Sequence, residues 1–212
     1  MRQIKLIVCL VSSLAALLGA VTPAYCKVVS YGVGLNACEA YLSAREQRNE
    51  EELSYIDWLS GYMSGLNALS NRRINSILGD TNLQGTVDWL GNFCRKHPQT
   101  PVAVALDLLA AGARYSVARE TVEVVSYGSG FKSCAAYLEA RQQGNADQDG
   151  FVEWLGGYYS GVNAYSLTTD SVLGTTELTG TILWIDAYCQ AHPAVRFDAA
   201  AAAKMTPARR EP

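Results

Sequence analysis

Few residues in this chain have the type and spacing for acid–base or nucleophilic chemistry. The two histidines, His97 and His192, each sit just before a proline. The carboxylates Asp57 and Glu153 each precede a tryptophan, Trp58 and Trp154. A carboxylate beside an indole can have its pKa raised by desolvation, and a histidine can move protons near neutral pH. The plainer roles are a helix-surface carboxylate and a histidine at a helix C-terminus, where the dipole favours it. The Ser of Gly61-Tyr-Met-Ser-Gly65 stands one place late for a nucleophile elbow. Gly32-Val-Gly34 lacks the third glycine of a dinucleotide loop. The cysteines are too widely spaced for CxxC redox work or a zinc knuckle. The expectation is therefore a non-enzymatic protein with no catalytic residues, no metal and no cofactor. A hydrolase using the His and carboxylate pairs is a remote alternative.

These residues come in pairs because the chain repeats itself. Val28-Val-Ser-Tyr-Gly returns as Val124-Val-Ser-Tyr-Gly, and Trp58-Leu-Ser-Gly-Tyr-Met-Ser-Gly-Leu-Asn-Ala68 returns as Trp154-Leu-Gly-Gly-Tyr-Tyr-Ser-Gly-Val-Asn-Ala164. Cys94-Arg-Lys-His-Pro98 returns as Cys189-Gln-Ala-His-Pro193. Three aligned windows hold 32 identities in 55 positions, far beyond chance. The offset falls from 96 to 95 around Asn71–Asn75. Two repeats are too few for a solenoid, and each is long enough to hold a core. Tandem domains are expected at 27–112 and 124–205, with a linker at 113–123 and a disordered tail at 206–212.

Residues 1–26 read as a signal peptide. Arg2 and Lys5 precede an apolar stretch from Leu6 to Val21, followed by small residues. Cleavage fits after Ala24 or after Cys26; Tyr25 stands where a lipoprotein box needs a small residue. No other stretch is apolar for long enough to span a membrane. The expected location is periplasmic or secreted. Export permits disulfides, and of the three possible pairings of Cys38, Cys94, Cys134 and Cys189 the parsimonious one is within each repeat, Cys38–Cys94 and Cys134–Cys189. The formal charge of −3 becomes −5 without Arg2 and Lys5, which argues against a nucleic-acid partner.

Hydrophobic periodicity predicts an all-α fold, four short helices per repeat. The first spans roughly Gly34 to Gln47 and the second Leu53 to Ser70, with Leu59, Tyr62, Met63 and Leu66 as its stripe. Thr81 or Asn82 caps a third that His97-Pro98 ends. The fourth runs from Val102 to Ala113, and its counterpart from Arg196 to Met205 has an alanine run, Ala199–Ala203, with little to bury. Leu78-Gly79 and Gly174 mark turns. Short strands fit only Val28–Tyr31 and Val122–Tyr127. Gly61 and Gly65 form a small-residue ridge with Ala68, a costly choice inside a helix. Close approach of another helix backbone explains it; with Asp57 and Asn67 alongside, a lipid-buried dimer does not. Trp58, Tyr62, Asn67 and their counterparts Trp154, Tyr158 and Asn163 are candidates for core or for a partner-binding groove.

Cys-Glu-Ala-Tyr-Leu (38–42) and Cys-Ala-Ala-Tyr-Leu (134–138) resemble the opening of the HdeA/HdeB periplasmic acid-stress chaperones. That resemblance implies an exported four- to five-helix domain with one disulfide, here in two tandem copies, that binds client polypeptides. The Trp-Leu-x-Gly-Tyr-x-Ser-Gly segment and the later His-Pro resemble Rap/Tai-type periplasmic immunity proteins, which implies a toxin as protein partner. Homo-oligomerisation is compatible with either.

Overall fold

The computed structural model describes residues 29–69, 82–113, 126–166, 171–174 and 176–205. The signal segment 1–26, residues 114–125 of the linker region, the Leu78-Gly79 turn, the slip at Asn71–Asn75 and the tail 206–212 lie outside the described residues. Among the described residues the protein is all-helical. The first half contains α1 (Cys38–Gln47), α2 (Glu50–Leu69), α3 (Leu83–Lys96) and α4 (Val102–Ala113). The second contains α5 (Cys134–Gln143), α6 (Ala146–Ser166), α7 (Leu178–Ala191) and α8 (Phe197–Met205).

Local chemistry sets the helix ends. Asn82 caps α3, its side chain accepting from the Gly85 N–H at 2.9 Å. At the far end the His97 N–H turns back to the Phe93 and Cys94 carbonyls, and the proline that follows stops the helix. The α1–α2 corner needs a left-handed residue; it is Arg48 in the first half (φ 50°) and Gly144 in the second (φ 61°). Disulfides join Cys38 to Cys94 and Cys134 to Cys189, tying α1 to α3 and α5 to α7. The start of α1 is also pinned to the start of α4, through Cys38 N–H to Thr100 O and Val102 N–H to Asn36 O.

The first helix is shorter than the expected Gly34–Gln47. Residues 32–35 form a separate 3-10 turn, entered through Gly32 at φ 63°. Beneath it lies the Trp58 indole, so close to Gly34 that a Cβ there would overlap the ring. The described parts of the two expected strands, Val29–Tyr31 and Ser126–Tyr127, are in no sheet ladder. Their N–H groups at Tyr31 and Tyr127 are met by side chains of the opposite half. The Tyr31 N–H donates to Ser160 Oγ at 3.0 Å and the Tyr127 N–H to Ser64 Oγ at 2.9 Å, two symmetry-related bonds.

The glycine ridge closes against its own counterpart. A Cβ on Gly61 or Gly65 would fall on the carbonyl oxygen of Trp154 or Tyr158, and one on Gly157 or Gly161 on that of Trp58 or Tyr62. α2 and α6 therefore meet backbone to backbone about a pseudo-two-fold axis. On either side lies an aromatic-rich core. The first holds Trp58, Tyr62, Leu66, Leu90 and Leu106 and takes in Ala164 and Tyr127 from the other half. The second holds Trp154, Tyr158, Tyr159, Ile185 and Phe197 and takes in Tyr31 and Ala68. The alanine run of α8 is not idle: Ala200 and Ala201 are fully buried, and the Tyr159 hydroxyl donates to the Ala201 carbonyl at 3.0 Å. Small residues at these positions let α8 come close enough for the Tyr159 hydroxyl on α6 to reach its backbone.

Two outcomes follow. Gly61→Ala or Gly161→Ala should cost about 3 kcal/mol or more, because the obstacle is backbone that cannot rotate aside; the exposed Leu53→Ala should stay within about 0.5 kcal/mol. Urea midpoints with unchanged slope check both. Replacing Cys38 and Cys94 together by serine should lower stability by roughly 4 kcal/mol on loop-entropy grounds, read by the same titration.

Candidate functional site

The six aromatic and amide positions proposed for a groove are all interior. Trp58 and Trp154 are 0% exposed, and Tyr62, Asn67, Tyr158 and Asn163 at most 4%. Each indole holds the extended segment of its own half, Trp58 Nε1 donating to Tyr31 O at 2.7 Å and Trp154 Nε1 to Tyr127 O at 2.8 Å. Asn163 donates to the Val29 carbonyl and accepts the Val172 N–H, each at 2.8 Å. The Tyr62 hydroxyl donates to Asp107 on α4. A partner reaches these side chains only if the cores they fill come open.

His97 and His192 are exposed at the ends of α3 and α7, each ring 4.5 Å from that of the aromatic one turn earlier, Phe93 or Tyr188. Asp57 and Glu153 do not stand on an open helix face, as the sequence suggested, but half-buried at the α2–α6 seam. Glu153 Oε2 accepts the Val33 N–H at 3.0 Å and crowds Gly32. Burial raises its pKa, the Val33 N–H opposes this, and Asp149 and Asp57 add to the rise. Asp57 faces a cleft between the N-terminal ends of α2 and α6, beside Gly150, Lys132 and Asp147. Burial raises its pKa, Lys132 lowers it and Asp147 raises it. Asp57 bears on Glu153 across the seam, but the two share no histidine or hydroxyl in a catalytic geometry. Among the described residues no cluster of three or more His, Cys, Asp or Glu could hold a metal.

Sequence reasoning passed over the seam serines. Ser64 Oγ donates to Ser60 O and Ser160 Oγ to Gly156 O while each accepts its cross-half backbone N–H. Their identity in both repeats was visible; their partners were not. It also passed over Tyr137, Asp186 and Arg141, where the carboxylate takes the Tyr137 hydroxyl at 2.5 Å and a fork from Arg141 at 3.1 and 2.9 Å. Burial, then the contact with Asp186, pushes the Tyr137 hydroxyl well above its usual pKa.

No family model, no curated protein and no solved structure matches this chain.

The seam carboxylates set a pH dependence whose sign is fixed. Their folded pKa values lie above the unfolded ones, so their favourable contribution is present below the ordinary carboxyl range and is lost as pH rises through the folded values. Asp57→Asn with Glu153→Gln should therefore raise the melting temperature at neutral pH, and the gain should vanish below about pH 4. Calorimetry across that range checks this; an equal gain at every pH would contradict it.

Proposed function

We propose that this chain is an exported, non-enzymatic binding protein made of two HdeA-like four-helix units, and that it shields client polypeptides. Two disulfides suit an oxidising compartment, and no described helix is long and apolar enough to cross a membrane. The observation that carries the reading is how the two halves are joined. Each disulfide lies inside one half, whereas among the described residues the seam between halves is held by helix packing and hydrogen bonds. The halves can thus part while each stays stapled. Parting withdraws Tyr31 and Ala68 from the second core and Tyr127 and Ala164 from the first, which opens one side of each aromatic core, apolar surface of the kind that holds unfolded chains.

In acid the seam carboxylates favour the closed form, so their protonation is not the trigger. Opening would have to come from the uncompensated positive charge left when the carboxylates are neutralised. At about pH 2–3, below the ordinary carboxyl range, the protein should lose near-UV circular dichroism and suppress aggregation of an acid-sensitive client. Unchanged near-UV signal with no protection of the client would remove the chaperone reading.

The same seam favours a second reading, an immunity protein that neutralises a periplasmic toxin. A body that tightens in acid and carries two disulfides suits a rigid inhibitor. It requires a complex of about nanomolar affinity with an effector encoded beside it; a neighbourhood without such a gene counts against it.

A further inference from the structure

The two halves differ sharply at one pair of aligned positions. In the second half Asp186 on α7 fills the space between α5 and α7 and is gripped by Arg141 and Tyr137. The aligned residue on α3 is Gly91. The first half keeps both of the other members, Tyr41 and Arg45, on α1. Arg45 and Arg141 are equally exposed, 31% each, but the fork of Arg45 holds no aspartate. Its Nη1 reaches instead to the Tyr41 hydroxyl and the Val87 carbonyl, both at 3.3 Å, and its Nε lies 3.8 Å from Glu52.

Over Gly91 lies an open pocket of about 440 Å³, lined also by Leu42, Arg45, Glu46, Asp88, Asn92 and Arg95. A Cβ built on Gly91 would stand 3.0 Å from Arg45 Nη1 and 3.8 Å from Arg95 Nη1. Two guanidinium groups thus border the place where the other half puts its aspartate. The second of them is also particular to this half, since Gln190 aligns with Arg95. At this spot one aspartate is lost and one arginine gained, while Glu46 and Asp88 stand where the second half has Gln142 and Leu183, and Arg95 also donates from Nη2 to Asn92 Oδ1 at 2.5 Å.

We infer that this pocket between α1 and α3 is a carboxylate-binding site, open to a ligand in the first half and filled by the chain's own Asp186 in the second. It rests on the side chains of α1 and α3 and does not depend on the chaperone or immunity reading. The guanidinium fork matches the planar, two-oxygen carboxylate and gives charge-assisted hydrogen bonds. Glu46 and Asp88, the latter held by Gln84 at 3.0 Å, add negative charge to the pocket lining. They repel a phosphate dianion more than a single carboxylate, which narrows the ligand class. The carboxylate comes either from a small organic acid or from an aspartate or C-terminus of a polypeptide.

The test follows the Arg45 Nε–Hε resonance of the mature protein by NMR, titrating acetate, a capped peptide with one aspartate, and inorganic phosphate at matched ionic strength. A saturable shift with acetate or with the peptide is expected, and which of the two binds tighter tells the source. Gly91→Asp should abolish the shift and raise the melting temperature above that of Gly91→Ala, which carries the helix-propensity gain alone. Should Gly91→Asp fail to fold, Arg95→Gln should weaken binding about tenfold with an unchanged fold. No saturable shift with either carboxylate overturns the inference. So does an equal response to phosphate, or a response that persists in the folded Gly91→Asp protein and in Arg95→Gln alike.

Discussion

The contact on which the rest of the structure depends is the backbone-to-backbone approach of α2 and α6. Four glycines, each bare against a carbonyl oxygen of the opposite helix, allow it. Each costs about 1 kcal/mol of helix propensity relative to alanine, and the close approach must return more than that. It does so by geometry. With the helix axes this near, the bulky residues between the glycines cannot point at the seam and turn to either side, where Trp58 and Tyr62 build one core and Trp154 and Tyr158 the other. The serines that remain at the seam have helix carbonyls one turn back to donate to, which frees their oxygens to accept the Tyr31 and Tyr127 N–H groups. The extended segment of each half is laid over the long helix of the other for that reason.

A hierarchy of bonds results. Within a half, a disulfide closes a loop of more than fifty residues and fixes α1 against α3 or α5 against α7. Between halves there is dense packing and reciprocal hydrogen bonding but no covalent link among the described residues. The half-buried carboxylates Asp57 and Glu153 sit at that weaker level and not inside a half. Their ionisation is therefore felt at the seam between the halves and not within either half.

Much of this was legible in the sequence because the repeat doubles every local signal. The cysteine pairing, the Asn82 cap, the His-Pro stop and the need for a helix against the glycine ridge could all be read from residue type and spacing. Which helix met the ridge could not, since a ridge of small residues names no partner. The strand expectation for Val28–Tyr31 failed for a related reason. Extended residues read as a strand locally, and only contacts some 130 residues away show that serine hydroxyls stand in for a neighbouring strand. The burial of Ala200 and Ala201 was equally hidden: alanine carries no periodic signal, and its value lies in letting Tyr159 reach the α8 backbone.

Identity between the repeats reports the scaffold, so a site has to be sought where they differ. Tyr41 and Tyr137, Arg45 and Arg141 are kept in both halves, while Gly91 faces Asp186 and Arg95 faces Gln190. A homodimer of a single unit could not hold this difference, for it would carry two open pockets or two filled ones. Fusing the copies into one chain releases that constraint. The seam, where each half must fit the other, stays matched in its glycines, serines and tryptophans. The outer α1–α3 face has no such duty, and there one half can seal the arginine fork with its own aspartate while the other leaves it open beside a second cation.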